Sequence, residues 1–143
     1  MSESLTPSPI VHIERNVKGR TLVEWLALIT MSSLVLFVML VVSLHFLRPE
    51  TNPLIRGVSY YADGPYGFLM TTALLLIGIG GAALTLGLFL GSIRRQRSLA
   101  GMLLLGLWSI SSALGAVFPI DAPGAPPTTT GMLHELIGLN FLL

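Results

Sequence analysis

Residues 66–118 read YGFLMTTALLLIGIGGAALTLGLFLGSIRRQRSLAGMLLLGLWSISSALGAVF. Two long apolar runs stand on either side of Arg94, Arg95 and Arg97, and only a tight turn joins them. A helix needs about 20 apolar residues to cross the hydrocarbon of a bilayer. Both runs reach that length, so 66–93 and 99–118 are expected to be antiparallel spans. Pro119 stops the second, because its ring cannot continue a helix.

Outward from this hairpin, residues 22–47 form another apolar run of spanning length. It is far longer than the roughly 7–15 residue core of a signal peptide, and no small-x-small cleavage site follows it. A retained helix is the expectation. Residues 1–20 are polar and read as a mobile cytoplasmic tail, which leaves 21–143 as a single membrane domain. A fourth apolar run starts near Gly131 and stops at Leu143, too short to span. The expected fold is therefore all-α: a transmembrane helical bundle of three full spans plus a short incomplete helix at 131–143. Backbone groups without partners are costly in hydrocarbon. This stub should lie at the interface, enter only part way, or be completed by residues the chain lacks.

Composition agrees. Apolar residues make up 52% of the chain and charged residues 10%, where a soluble domain carries about 25% charged. Cysteine is absent, which removes disulfides, thiolate nucleophiles and Cys-ligated metals. With a net charge of +1 and no basic stripe, nucleic acid is not an expected partner. Membrane lipids are.

Lys and Arg placement sets the expected orientation. Arg15, Lys18, Arg20, Arg94, Arg95 and Arg97 fall on one side, and Arg48 and Arg56 on the other. That predicts a cell-membrane protein with a cytoplasmic N-terminus and outer loops at 48–65 and 119–130. Trp25 suits an interfacial anchor, and Tyr60, Tyr61 and Tyr66 suit the outer aromatic belt. Trp108 falls mid-span and should pack between helices.

In the second span Ala83, Gly87 and Gly91 recur every four residues, and Ser111 and Gly115 give the third a similar stripe. Small residues let helices approach closely in lipid. The stripe serves contacts within the chain or a homo- or hetero-oligomer.

No ionisable residue lies in the centre of a complete span, which argues against a pump or channel. Polar residues gather at the outer rim instead. In the first outer loop, Asn52 before Pro53 predicts a capped helix start, and Gly64-Pro65 a stop. Leu54, Ile55, Val58 and Tyr61 would share one side of a short amphipathic helix, and Arg56, Ser59, Tyr60 and Asp63 the other. The second outer loop holds four prolines within nine residues and should be stiff. One of its threonines should cap the next helix, with Glu135 in the first turn suiting the dipole.

The candidate outer-face cluster is thus His45, Arg56, Ser59, Tyr60, Asp63, Asp121, His134 and Glu135. Imidazoles with carboxylates are raw material for a metal site or an acid–base pair. However, His134-Glu135 lacks the second histidine of a zinc-protease motif, and His45 and His134 sit at helix ends rather than where haem ligands belong. No metal or cofactor is expected.

At these loops the chain resembles a family of multi-pass membrane proteins known as domain of unknown function 998. The matching stretches are residues 52–67, NPLIRGVSYYADGPYG, and Phe118-Pro-Ile-Asp121 followed by His134. The likeness runs from about Leu22 to the end. It implies an all-helical membrane fold and marks Arg56, Ser59, Tyr60, Asp121 and His134, but supplies no activity. Members are usually longer, so the chain is expected to be a truncated one. Three functional classes follow. The first is a membrane protein binding a lipid head group or partner at its outer face. The others are a lipid-directed membrane enzyme and an accessory subunit docking through the glycine stripe.

Overall fold

The structure, a computed structural model, describes residues 9–139, with side chains from residue 21 onward except those of Pro53, Arg56 and Arg94. Five α-helices follow in order: α1 (Pro9–Leu47), α2 (Pro53–Arg56), α3 (Gly67–Gly91), α4 (Leu99–Val117) and α5 (Thr129–Gly138). Single 3-10 turns occupy Val58–Ala62 and Arg94–Gln96, and no strand occurs among the described residues. Three stretches are long and apolar enough to cross a membrane: Thr21–Leu47 within α1, all of α3 and all of α4. At 1.5 Å per residue they measure about 40, 38 and 28 Å, against about 30 Å of hydrocarbon. Their outer surfaces are rows of exposed Leu, Ile, Val, Met and Phe, which only lipid solvates well. The protein is a multi-pass membrane protein with a helical-bundle fold.

The polar segment before Thr21 continues α1 as helix back to Pro9, a residue suited to the first helical position. Between α3 and α4, Ser98 caps α4 by accepting from the Gly101 amide at 3.2 Å. Arg97 lies with its guanidinium carbon 4.6 Å from the Phe89 ring centroid.

α3 is the middle element, packed antiparallel against α1 on one side and α4 on the other. Its closest approaches use Gly78, Gly80 and Gly81. A Cβ on Gly80 would come within 2.9 Å of Ser33 Cβ on α1. One on Gly81 would meet Ser109 and Trp108 of α4 at 3.0 and 3.1 Å, so Trp108 packs between helices. Hydroxyls complete both seams: Ser109 donates to the Gly78 carbonyl at 2.6 Å, and the single Thr30 hydrogen is shared between the Leu26 carbonyl of its own helix at 2.9 Å and the Gly80 carbonyl at 3.2 Å. Gly87 and Gly91 leave more room: an added Cβ would meet Leu26 and Val23 of α1 at ordinary contact distances, 3.5 and 3.4 Å.

The first interhelical loop departs from the expected single amphipathic helix. Asn52 does cap α2, its Oδ1 accepting from the Leu54 amide at 3.0 Å, but the helix ends after four residues. Gly57, at φ 68° and ψ 159°, turns the chain out of helical conformation. Leu54 and Ile55 are left 94% and 78% exposed, while Tyr61 swings inward and is fully buried. Tyr61 joins Leu44, Met70 and Ala73 in the core at this end of the bundle. Packing of one aromatic ring overrides the 3.6-residue pattern, which a four-residue helix is too short to enforce.

Candidate functional site

The loop face of the bundle, where α1 and α4 end and α3 and α5 begin, holds the polar chemistry. Arg48, one residue past α1, staples the 48–66 loop. Its Nη1 donates to the carbonyls of Asp63 (2.5 Å) and Pro65 (3.1 Å), and its Nε to the Glu50 carboxylate. That guanidinium holds the Glu50 carboxyl below its ordinary pKa. Beside it, the Tyr61 hydroxyl donates to the Thr51 carbonyl at 3.1 Å and lies 2.8 Å from His45 Nδ1. A phenol has one proton to give, so His45 Nδ1–H donates to the Tyr61 oxygen. Burial, with Glu50 nearby, pushes the Tyr61 phenol up.

The second assembly starts α5. Asp121 accepts from the Thr128 amide at 2.8 Å and from its hydroxyl at 2.6 Å. Thr128 in turn caps the helix, accepting from the Gly131 amide at 3.1 Å. The carboxylate lies so close over the first turn that a Cβ on Gly131 would fall 2.0 Å from Asp121 Oδ2. Both Thr128 bonds favour the charged form and lower the Asp121 pKa. A threonine cap was legible in the sequence, but Glu135 is not in the first turn, because α5 begins two residues before Gly131. Asp121 supplies the negative charge that the helix N-terminus favours.

From this cap α5 descends along α4 rather than lying on the surface. His134 reaches the Gly115 level, with Nδ1 2.7 Å from the Phe118 carbonyl. Ile137 and Gly138 follow it down, and residues 140–143 of the expected fourth helix lie outside the described residues. Because α3 holds α1 and α4 apart, a cavity of about 580 Å³ opens between α1, α3, α4 and α5. Leu34 and Phe37 wall it from α1, Leu74 and Ile77 from α3, and Trp108, Ser111, Ser112 and Gly115 from α4. Gly57, Val58 and Ser59 roof it, and His134 stands on the α5 wall.

The residues singled out in the sequence are thus distributed. His134, Ser59, Ser111 and Gly115 share the apolar cavity. Tyr60 and Asp63 line a separate polar pocket of about 120 Å³ with Arg48, Glu50, Thr51 and Pro123. Asp121 is engaged in the α5 cap, His45 turns to Tyr61, Glu135 is exposed, and Ala83 is buried in α3. The Arg56 side chain lies outside the described residues. No three His, Asp or Glu side chains among the described residues converge as metal ligands would. Arg48 and Tyr61, read in the sequence only as a loop charge and a belt aromatic, are absent from the expected cluster. The signal for Arg48 was its place at a helix end, before Pro49 and two residues from Glu50.

The family model described as Protein of unknown function (DUF998) covers residues 14–143. No curated protein matches the chain, and no solved structure does. The match takes in all three spans, both interhelical loops and the helix that carries His134, and the chain belongs to the DUF998 family.

Proposed function

We propose that the protein binds a membrane lipid at its outer face, with an acyl chain in the cavity between α1 and α4. The observation that supports this is the cavity itself. Its volume falls within the roughly 300–1,000 Å³ of small-molecule sites, and it runs from the loop face down to Leu34. Leu34 lies 13 residues before Leu47, about 20 Å along the helix, so the cavity has the length of a chain. If the protein retains lipid there, native mass spectrometry of mildly detergent-purified material will show a lipid adduct. Leu34→Trp, which enlarges an exposed side chain on the α1 wall, should remove most of it. A lipid-free wild-type spectrum, or adducts unchanged in the variant, would overturn the reading.

The orientation follows from charge: six of the eight Lys and Arg residues flank the opposite face, and the more basic side stays in the cytoplasm. This places the N-terminus inside and the cavity mouth in the outer leaflet of the cell membrane. Because the chain has no cysteine, single-cysteine labelling is clean. A membrane-impermeant maleimide should label Ala125→Cys in intact cells and Gln96→Cys only after permeabilisation. The reverse pattern would invert the topology.

A further inference from the structure

We infer that the preferred occupant of the cavity is a neutral lipid carrying a free hydroxyl, and that His134 Nε2 accepts that hydroxyl's proton in a hydrogen bond. This rests on the lipid-binding reading above and adds the identity of the head. The Phe118 carbonyl can only accept, so His134 Nδ1, 2.7 Å from it, carries the hydrogen. In the neutral ring Nε2 is then an acceptor. Among the described residues Nε2 makes no hydrogen bond, and none of their fully occluded side-chain nitrogens or oxygens lacks a partner, so Nε2 is not fully occluded. His134 is only 8% exposed and lines the cavity, so Nε2 is reached from that space. It calls for a donor.

The remaining walls say which donors fit. His134 is the one ionisable side chain among the described lining residues, and burying an unpaired phosphate or ammonium beside them would be costly. The Ser111 hydroxyl, on a residue 3% exposed, lines the same wall one helical turn below Gly115. It can donate to an ester carbonyl further along the ligand. A hydroxyl near the face, an ester below it and a chain reaching to Leu34 describe a diacylglycerol-like molecule. Phosphatidylcholine lacks the donor, and any phospholipid brings a phosphate charge that the described lining does not match.

The chain has two tryptophans, Trp25 and Trp108. Trp25 is exposed on α1, and Trp108 lines the cavity. In a Trp25→Phe background, Trp108 therefore reports occupancy through quenching by brominated acyl chains. The protein is reconstituted in phosphatidylcholine vesicles and titrated separately with dibrominated diacylglycerol, its 3-acetylated form and dibrominated phosphatidylcholine. Diacylglycerol should half-quench Trp108 at a mole fraction about tenfold lower than either alternative, the scale set by leaving one buried acceptor unpaired. His134→Asn keeps an amide donor at the Nδ1 position for the Phe118 carbonyl and removes the acceptor at Nε2. It should abolish the preference. Equal quenching by all three lipids, or a preference unchanged in His134→Asn, would overturn the hydroxyl assignment and leave lipid binding standing. Quenching by none of them would overturn both.

Discussion

Gly80→Val is expected to separate α1 from α3 and to lower the stability of the bundle by about 2–4 kcal/mol. Even the first carbon of the new side chain would sit 2.9 Å from Ser33 Cβ, closer than packed carbons approach. Neither partner is a flexible chain end, so a helix must move. Overpacking of this kind costs about 1–3 kcal/mol. The displacement also takes Thr30 away from the Gly80 carbonyl, the longer of its two contacts, and interhelical bonds in membranes average about 0.6 kcal/mol. Gly87→Ala provides the contrast. Its Cβ would meet Leu26 Cβ at 3.5 Å, an ordinary contact, and alanine favours helix over glycine by about 1 kcal/mol. Titration of the micellar protein with SDS, followed by circular dichroism, should show early unfolding for Gly80→Val and a wild-type or later midpoint for Gly87→Ala. The opposite ranking would mean that the α1–α3 seam is closed at the Gly87 level instead.

Gly131→Ala should loosen α5 without disturbing the three spans. The added carbon would occupy the space of the Asp121 carboxylate, 2.0 Å from Oδ2. The carboxylate must turn away, and both of its bonds to Thr128 go with it. Amide exchange across 129–138 should rise several-fold to about tenfold, the scale of weakening a helix cap. Asp121→Ala should have a similar effect, and the double variant should be no worse than either single one, since all three remove the same contact. Full additivity would show that the two residues act independently. The pH dependence has a definite sign. The folded-state pKa of Asp121 is lowered, so its contribution is complete above the ordinary aspartate range and is lost as pH falls through the folded value. In Asp121→Ala, exchange in α5 should lose this acid-side dependence.

The three spans were legible in the sequence because a bilayer imposes a length and a polarity that residues 22–47, 66–93 and 99–118 meet without help from tertiary structure. The packing was less so. A search for small residues on one stripe finds Ala83, Gly87 and Gly91. The tightest contacts fall at Gly78, Gly80 and Gly81, which serve two faces at once, Gly80 toward α1 and its neighbours toward α4. A helix packed on both sides carries no single stripe there. Loop 52–63 misled for a different reason: the helical spacing of Leu54, Ile55, Val58 and Tyr61 is real, but Gly57 breaks the chain and lets Tyr61 turn inward. His134 was visible as a candidate. Its surroundings were not, because the cavity depends on how far α3 holds α1 and α4 apart.

Thr30 and Ser109 reach the same short stretch of α3 from opposite sides, at Gly80 and Gly78. Both neighbours are therefore tied to α3 at one depth in the bilayer, and sliding either helix along α3 as a piston breaks its contact there.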